Sequence, residues 1–292
     1  MAKKTLQGKP FVGLRLGAHE SIAGGVWKAL ERGVEHGAEA VQIFTKSARG
    51  WAAKPLSGQD AKTYRETAAA ASLPSAAHAS YLVNLAVEAG DHRDKSLAAM
   101  ADDWGRANAL GLMGLVVHPG AHADAARGTE LIADAIAELD SRVAAGDALL
   151  LLENTAGQGT SLGYRLDGLA ALLDATAKRG RFAAKRVGVC LDTCHLLAAS
   201  YDLSTAKGYA AVMREVDDRI GVERVRAFHL NDSKGPCGNR LDRHENIGEG
   251  HMGTDGFRAL VNDARFDGVP GFLETEEGAQ LRNLATLKGL RK

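Results

Sequence analysis

Eight short apolar stretches, each closed by a polar or titratable residue, recur along the chain: LRLGAH, AVQIFTK, SAAHAS, GLVVHPG, ALLLENT, VGVCLDT, VRAFHLND and GFLET. With His19, Thr45, His78, His118, Glu153, Asp192, His229 and Glu274 as their ends, the steps run from roughly 26 to 45 residues. Between them lie Ala- and Leu-rich stretches of helical period, such as KSLAAMADDWGRANALG and GTELIADAIAELDSRVAAG. Several are followed by the glycine that a helix C-cap requires. A strand–helix unit repeated eight times predicts a parallel sheet, and runs with so little polar alternation suit strands covered on both faces. Eight units in 292 residues predict a closed (β/α)8 TIM barrel, with a doubly wound open sheet as the second choice.

No Pro/Ser-rich linker or low-complexity stretch divides the chain. The expectation is therefore one domain over residues 1–292, with residues 1–12 as a flexible N-terminal extension. The start, MAKKTLQGKP, lacks the apolar stretch of a signal peptide, and no run approaches the roughly 18 apolar residues that span a bilayer. A cytoplasmic protein is expected. The 36 Lys and Arg against 36 Asp and Glu give no support for a general polyanion binder. A local basic rim stays open, as does positive charge from bound cations, which a residue count omits. Three cysteines, Cys190, Cys194 and Cys237, are too few for a disulfide scaffold and fit a reduced compartment. The pair Cys190 and Cys194 reads as packing rather than as a zinc site, which would normally take four Cys or His ligands.

The chemistry lies where a barrel places its active site, at the C-terminal ends of the strands. His78, His118, Glu153, Asp192, His229 and Glu274 would converge there. Carboxylates crowded into one mouth repel, and their desolvation costs several kcal/mol unless something compensates. Divalent cations remove that cost. His195 follows Asp192 by three residues, and RLDRHENIGEG supplies Asp242 and His244 at a spacing that lets both point the same way from an extended segment. That segment belongs to the longest insertion, Ser233 to about Gly253, and long loops are often functional.

These nine residues exceed the needs of one metal, since a catalytic zinc takes about three protein ligands. Three ions sharing one carboxylate fit the count. The imidazole-rich set favours zinc, with manganese or iron as substitutes, over magnesium. Clusters of this kind stabilise attacking and leaving oxygens together, which is what phosphodiester hydrolysis needs.

HASYLVNL, HPGAH, ENTAGQG, VGVCLDTCH, HLNDSK, DRHENIGEG and LET, in this order and spacing, resemble the endonuclease IV family of apurinic/apyrimidinic (AP) endonucleases over nearly the whole chain. The resemblance implies a monomeric barrel that holds three zinc ions and nicks double-stranded DNA 5′ to an abasic site, leaving a 3′-hydroxyl and a 5′-deoxyribose phosphate. Trimming of blocked 3′ ends is an implied side activity. His78, His118 and Glu153 would hold one ion. Glu153, shared, would join Asp192, His229 and Glu274 around a second, and His195, Asp242 and His244 would hold the third. Glu274 and Glu153 are the implied catalytic carboxylates, Glu274 holding or deprotonating the attacking water.

Arg49, Tyr81 and Leu82 are implied to enter the base stack at the lesion, as wedges and arginines do when they expel a nucleotide. Lys46, Arg49 and Lys54 are candidates for phosphate contacts. Trp51 is expected either to stack on DNA or to pack under its loop. His19 and His122 are expected to support their neighbours, His122 backing His118. The chain departs from the family pattern at Ala77, where proline is usual, at the small residues Ser47, Ala48 and Gly50, and at His251, where asparagine is common. The alternative function is a single-metal sugar isomerase or epimerase on a related barrel, which would use only Glu153, Asp192, His229 and Glu274. A lesion-binding protein that does not cut would be expected to lack some of the nine.

Overall fold

The computed structural model describes residues 11–143, 146–180 and 185–292. Of the extension expected over residues 1–12, the first ten lie outside the described residues. Val12 is 81% exposed, whereas the Phe11 ring lies beneath the guanidinium of Arg15, 4.2 Å from it.

Eight parallel strands close into a barrel: β1 (Arg15–His19), β2 (Val41–Phe44), β3 (Ser75–His78), β4 (Gly114–Val117), β5 (Leu149–Glu153), β6 (Val187–Asp192), β7 (Val225–His229) and β10 (Pro270–Leu273). Sequential strands are neighbours, and β1 closes on β10 with Arg15 opposite Pro270. The expected ends hold to within one residue: β2 stops at Phe44 rather than Thr45, and His118 and Glu274 each stand one residue past their strands. A two-stranded hairpin, β8 (Asp232–Ser233) with β9 (His244–Glu245), occupies the long insertion. The helices that follow the first five strands are α1 (Lys28–Glu35), α2 (Gly58–Ala71), α3 (Asp91–Leu110), α4 (Ala125–Arg142) and α5 (Leu166–Ala177). They are followed by α6 (Thr193–Ala198), α7 (Ala206–Arg219), α8 (Gly253–Val261) and α9 (Gln280–Gly289).

Local chemistry fixes the element ends. Asp124 caps α4 by accepting from the Arg127 N–H at 3.0 Å, and Gly111, at φ 72°, ends α3 in the left-handed conformation. Inside the barrel, Ala40, Ala76, Val116, Leu151, Cys190, Ala227 and Phe272 form one buried cluster. A Leu-rich shell packs between strands and helices; burying each such side chain contributes about 2 kcal/mol. Cys190 and Cys194 are both buried free thiols. Gly17 has a steric reason to be glycine, because a Cβ there would lie 2.3 Å from the Ala40 carbonyl oxygen. The apolar floor ends where the strand-end polar residues begin.

Candidate metal centre

β3, β5, β6 and β7 terminate in His78, Glu153, Asp192 and His229, and all four side chains are almost fully buried. Glu153 sits at the middle. Its Oε2 lies 3.2 Å from the Nε2 atoms of both His78 and His118. Its Oε1 lies 2.9 Å from His229 Nδ1 and 3.3 Å from His195 Nδ1. His229 Nδ1 also faces Glu274 Oε2 at 3.2 Å and Asp192 Oδ2 at 3.8 Å. The Asp192 carboxylate caps α6, accepting from the His195 N–H at 2.7 Å, so strand end and helix start deliver two polar side chains to one place. From the hairpin, Asp242 Oδ1 comes within 3.2 Å of both His195 Nε2 and His244 Nε2.

The donor atoms fall into three overlapping groups, each within 4.8 Å: His78, His118 and Glu153; Glu153, Asp192, His229 and Glu274; Asp192, His195 and His244. All nine sequence candidates are thus brought together, with Asp242 beside the third group. One detail differs from the expectation: Asp192 faces His244, at 3.7 Å, as well as His229, so two carboxylates rather than one lie between groups.

Charge is concentrated here to an unusual degree. Burial opposes ionisation of Glu153, but the surrounding His229, His118 and His195 outweigh it and hold the carboxyl well below the usual range. Glu274 is held low in the same way, against its burial, by His229, His19 and His78. Asp242 is held low by His195 and His244. In turn burial opposes charge on His195, yet Asp192, Asp242 and Glu153 drive its imidazole well above the ordinary value. His244, likewise opposed by burial but facing Asp242 and Asp192, is raised to about 9. Without cations the carboxylates are balanced by protonated imidazoles. Divalent ions would take the place of those protons.

The donor set fits such ions. Among the described residues the buried Nε2 atoms of His195 and His244 have no well-aligned hydrogen-bond partner, although Asp242 Oδ1 lies 3.2 Å from each, and an ion among the three would satisfy both nitrogens. The far ring nitrogens are already engaged. His78 Nδ1 donates to the Ala79 carbonyl at 2.7 Å, His195 Nδ1 to the Asn154 carbonyl at 2.9 Å, and His229 Nε2 to Gln42 Oε1 at 2.9 Å. Each ring therefore turns its other nitrogen toward the carboxylates, as a metal-ligating histidine does, and would offer a cation the lone pair there once that proton leaves.

At the rim, Tyr81 is 61% exposed, with its ring centroid 5.4 Å from Phe44 and 5.6 Å from His78. It stands between two cavities. One, of about 470 Å³, is lined by Leu82, His118, His195 and Asp242 among others, and the second, of about 750 Å³, by His19, Ser47, Ala48 and Glu274 among others. Leu82 is half-buried and Arg49 exposed. The loops carrying them are joined, since the Ala48 carbonyl accepts from Ser80 Oγ at 2.8 Å and from the Tyr81 N–H at 3.2 Å.

Two expectations are corrected. Lys46 is no phosphate contact: its ammonium is buried between Asp102 (2.9 Å) and Asp103 (3.2 Å) of α3. His122 does not back His118; it turns to the start of α4, with Nδ1 2.7 Å from the Asp124 carbonyl oxygen. Trp51 packs partly buried against the core, with its ring edge-on to His92.

The family model described as Xylose isomerase-like TIM barrel matches residues 30–291. A Chloroflexus aurantiacus protein named "Probable endonuclease 4" is 44% identical over 283 residues, covering 94% of this chain and 98% of that protein. The chain belongs to the endonuclease IV family. The crystal structure of endonuclease IV from Thermus thermophilus aligns with a TM-score of 0.82 at 37% identity, over 94% of this chain and 98% of that one. A D-tagatose 3-epimerase-like protein, with a TM-score of 0.68 at 18% identity over 95% and 97% of the two chains, shares the fold.

Within this member of the endonuclease IV family, the structure adds four buried polar residues to the nine. Asn231 donates to Asp192 Oδ2 at 2.7 Å and accepts from the Glu274 N–H at 2.9 Å. Asn154 accepts from the Asp192 N–H at 2.7 Å. Asp232 accepts from the N–H groups of Ser233, Gly248, Gly250, Met252 and Gly253, tying down the loop that leaves the hairpin. Gly250 is required for this, because a Cβ there would sit 2.5 Å from Asp232 Oδ1. Gln42 bridges His229 and Glu274. The sequence carried a signal for each: a glutamine inside an apolar strand, and the polar residues of ENT and LND directly after two of the strand ends.

Proposed function

We propose that this chain is a DNA-repair endonuclease that hydrolyses the phosphodiester 5′ to an abasic site in double-stranded DNA with three bound divalent ions, leaving a 3′-hydroxyl and a 5′-deoxyribose phosphate. Membership of the endonuclease IV family makes it a metal-dependent AP endonuclease. The observation that carries the finer reading is the overlap of three ligand groups around one mouth. A sugar isomerase would need only the group of Glu153, Asp192, His229 and Glu274, and would leave His78, His118, His195, Asp242 and His244 without a task.

His78, His118 and Glu153 would hold the first ion; Glu153, Asp192, His229 and Glu274 the second; His195, Asp242 and His244, with Asp192 at hand, the third. Zinc is the metal that this imidazole-rich set favours, with manganese or iron as substitutes. Such ions supply Lewis acidity and lower the pKa of an attacking water toward about 7. The chain's own part is placement. Glu274 is fixed through Oε1 and leaves Oε2 facing the cluster, where it would orient the attacking water and take its proton. Glu153, the most central carboxylate, would keep the first two ions together. Tyr81 and Leu82 would wedge into the stack while Arg49 meets the backbone, an abasic site being cheap to unstack.

We read residues 1–292 as one domain acting as a monomer in the cytoplasm, on abasic sites and on blocked 3′ ends. Among the described residues no helix is long and apolar enough to cross a membrane. The test is a labelled duplex with one tetrahydrofuran residue, a lesion that cannot undergo β-elimination, incubated with the purified protein without added magnesium. A single cut 5′ to the lesion with an extendable 3′-hydroxyl is expected. An uncut duplex in the presence of metal-loaded protein would contradict the reading.

A further inference from the structure

Gln42 lies within β2, whose other residues are Val41, Ile43 and Phe44, and its side chain is fully buried. A buried amide is costly unless its polar atoms are paired, and here they are paired with functional residues only. Oε1 lies 2.9 Å from His229 Nε2, while Nε2 lies 2.7 Å from Glu274 Oε1 and 3.1 Å from His19 Nδ1. The direction of the amide follows from these partners. A carboxylate can only accept, so the NH2 group faces Glu274 and the oxygen must face His229. His229 then carries its proton on Nε2 and turns Nδ1 toward Glu153 and Glu274, at 2.9 and 3.2 Å.

We propose that Gln42 is the positioning residue of the second ligand group: one amide sets the ring state of His229 and pins one oxygen of Glu274 so that the other points into the cluster. This rests on the reading of His229 and Glu274 as holders of an ion. The chemistry of the site restricts the residue type. A carboxylate at position 42 would accept from His229 but could not donate to Glu274, an ammonium would donate only, and an apolar side chain would do neither. Asn231 accepts from the Glu274 backbone N–H at 2.9 Å and its Nδ2 lies 3.5 Å from Oε2, so Gln42, at 2.7 Å from Oε1, is the close partner of the carboxylate and Asn231 chiefly holds the main chain. His19 completes the set, its Nδ1 lying 3.1 Å from Gln42 Nε2.

The test compares wild type, Gln42→Met and Gln42→Glu, each isolated with its metal. Three quantities are read: ions per chain retained along a chelator titration, dissociation constants for the tetrahydrofuran duplex, and kcat against KM for its incision. Gln42→Met is expected to release one ion at roughly tenfold lower chelator concentration and to lose about 10–100-fold in kcat, with duplex affinity and KM within about twofold of wild type. Gln42→Glu, which keeps the acceptor for His229 but sets a second carboxylate against Glu274, is expected to retain its ions better than the Met variant yet lose kcat as severely. If soluble Gln42→Met matches wild type in ion release, or if either soluble variant keeps wild-type kcat or differs only in melting temperature, the proposal is overturned. The two readings fail separately: an inactive wild type would overturn the nuclease reading, while unchanged ion release in Gln42→Met would overturn this one.

Discussion

The floor of the barrel mouth and its rim are built on opposite principles. On the floor, Glu153, Asp192 and His229 are fully buried and held by several partners each. On the rim, Arg49 and Tyr81 are exposed, and their loops are joined chiefly through the Ala48 carbonyl. Low dielectric makes each floor contact strong and each missing partner costly, which suits atoms that must not move. Exposure leaves the rim groups free to meet a large, charged, deformable ligand. On the proposed function the difference separates two tasks: chemistry and ion retention below, affinity and lesion choice above.

That division can be broken by substitution. The largest effect is expected on the floor, where Glu274→Gln should keep the ions but lower incision by about three orders of magnitude, in line with the removal of a preorganised catalytic group. Gel-based turnover alongside metal analysis checks it, and near wild-type turnover would remove Glu274 from its role. A smaller effect separates the floor by pH. In chelator-stripped protein, His244 is raised to about 9, and His195 and His229 are raised in the same direction. The contribution of His244 to stability is therefore fully present below about 6.5 and lost as pH rises through about 9, and those of His195 and His229 fall in the same direction as pH rises. The depressed carboxyls of Glu153 and Asp242 contribute constantly across that window, since they are ionised throughout it. The melting temperature of stripped protein should fall between pH 6.5 and 9, and a rise would contradict the charge balance described. The smallest effect belongs to the rim: Arg49→Ala should weaken duplex binding about tenfold, roughly 1.4 kcal/mol, with ion content unchanged. Unchanged affinity by fluorescence anisotropy would return Arg49 to the solvent.

The same division explains what could be read from sequence. The floor was legible because a parallel barrel delivers every strand end to one mouth, so His78, Glu153, Asp192 and His229 needed only the strand periodicity to be placed together. Asp242 and His244 were legible from their alternation in the insertion. Gln42 and Asp232 were less so, because their importance lies in partners more than a dozen residues away. Gln42 pairs across the barrel with His229 and Glu274. Lys46 was misread for the same reason: a lysine at the start of a mouth loop looks available to phosphate until α3 brings Asp102 and Asp103 against it. His122 stands in a motif with His118 but serves the first turn of α4 instead. Side-chain direction at loop starts is decided by tertiary neighbours, which local pattern does not contain.

The central claim is that the nine floor residues act as one cluster of three ions. Anomalous diffraction from crystals of the purified protein, recorded above and below the absorption edge of zinc, tests it most directly. The account predicts three peaks: one beside Glu153, His78 and His118; one among Glu153, Asp192, His229 and Glu274; and one beside His195, Asp242 and His244. A single peak among Glu153, Asp192, His229 and Glu274 in fully loaded, active protein would contradict it.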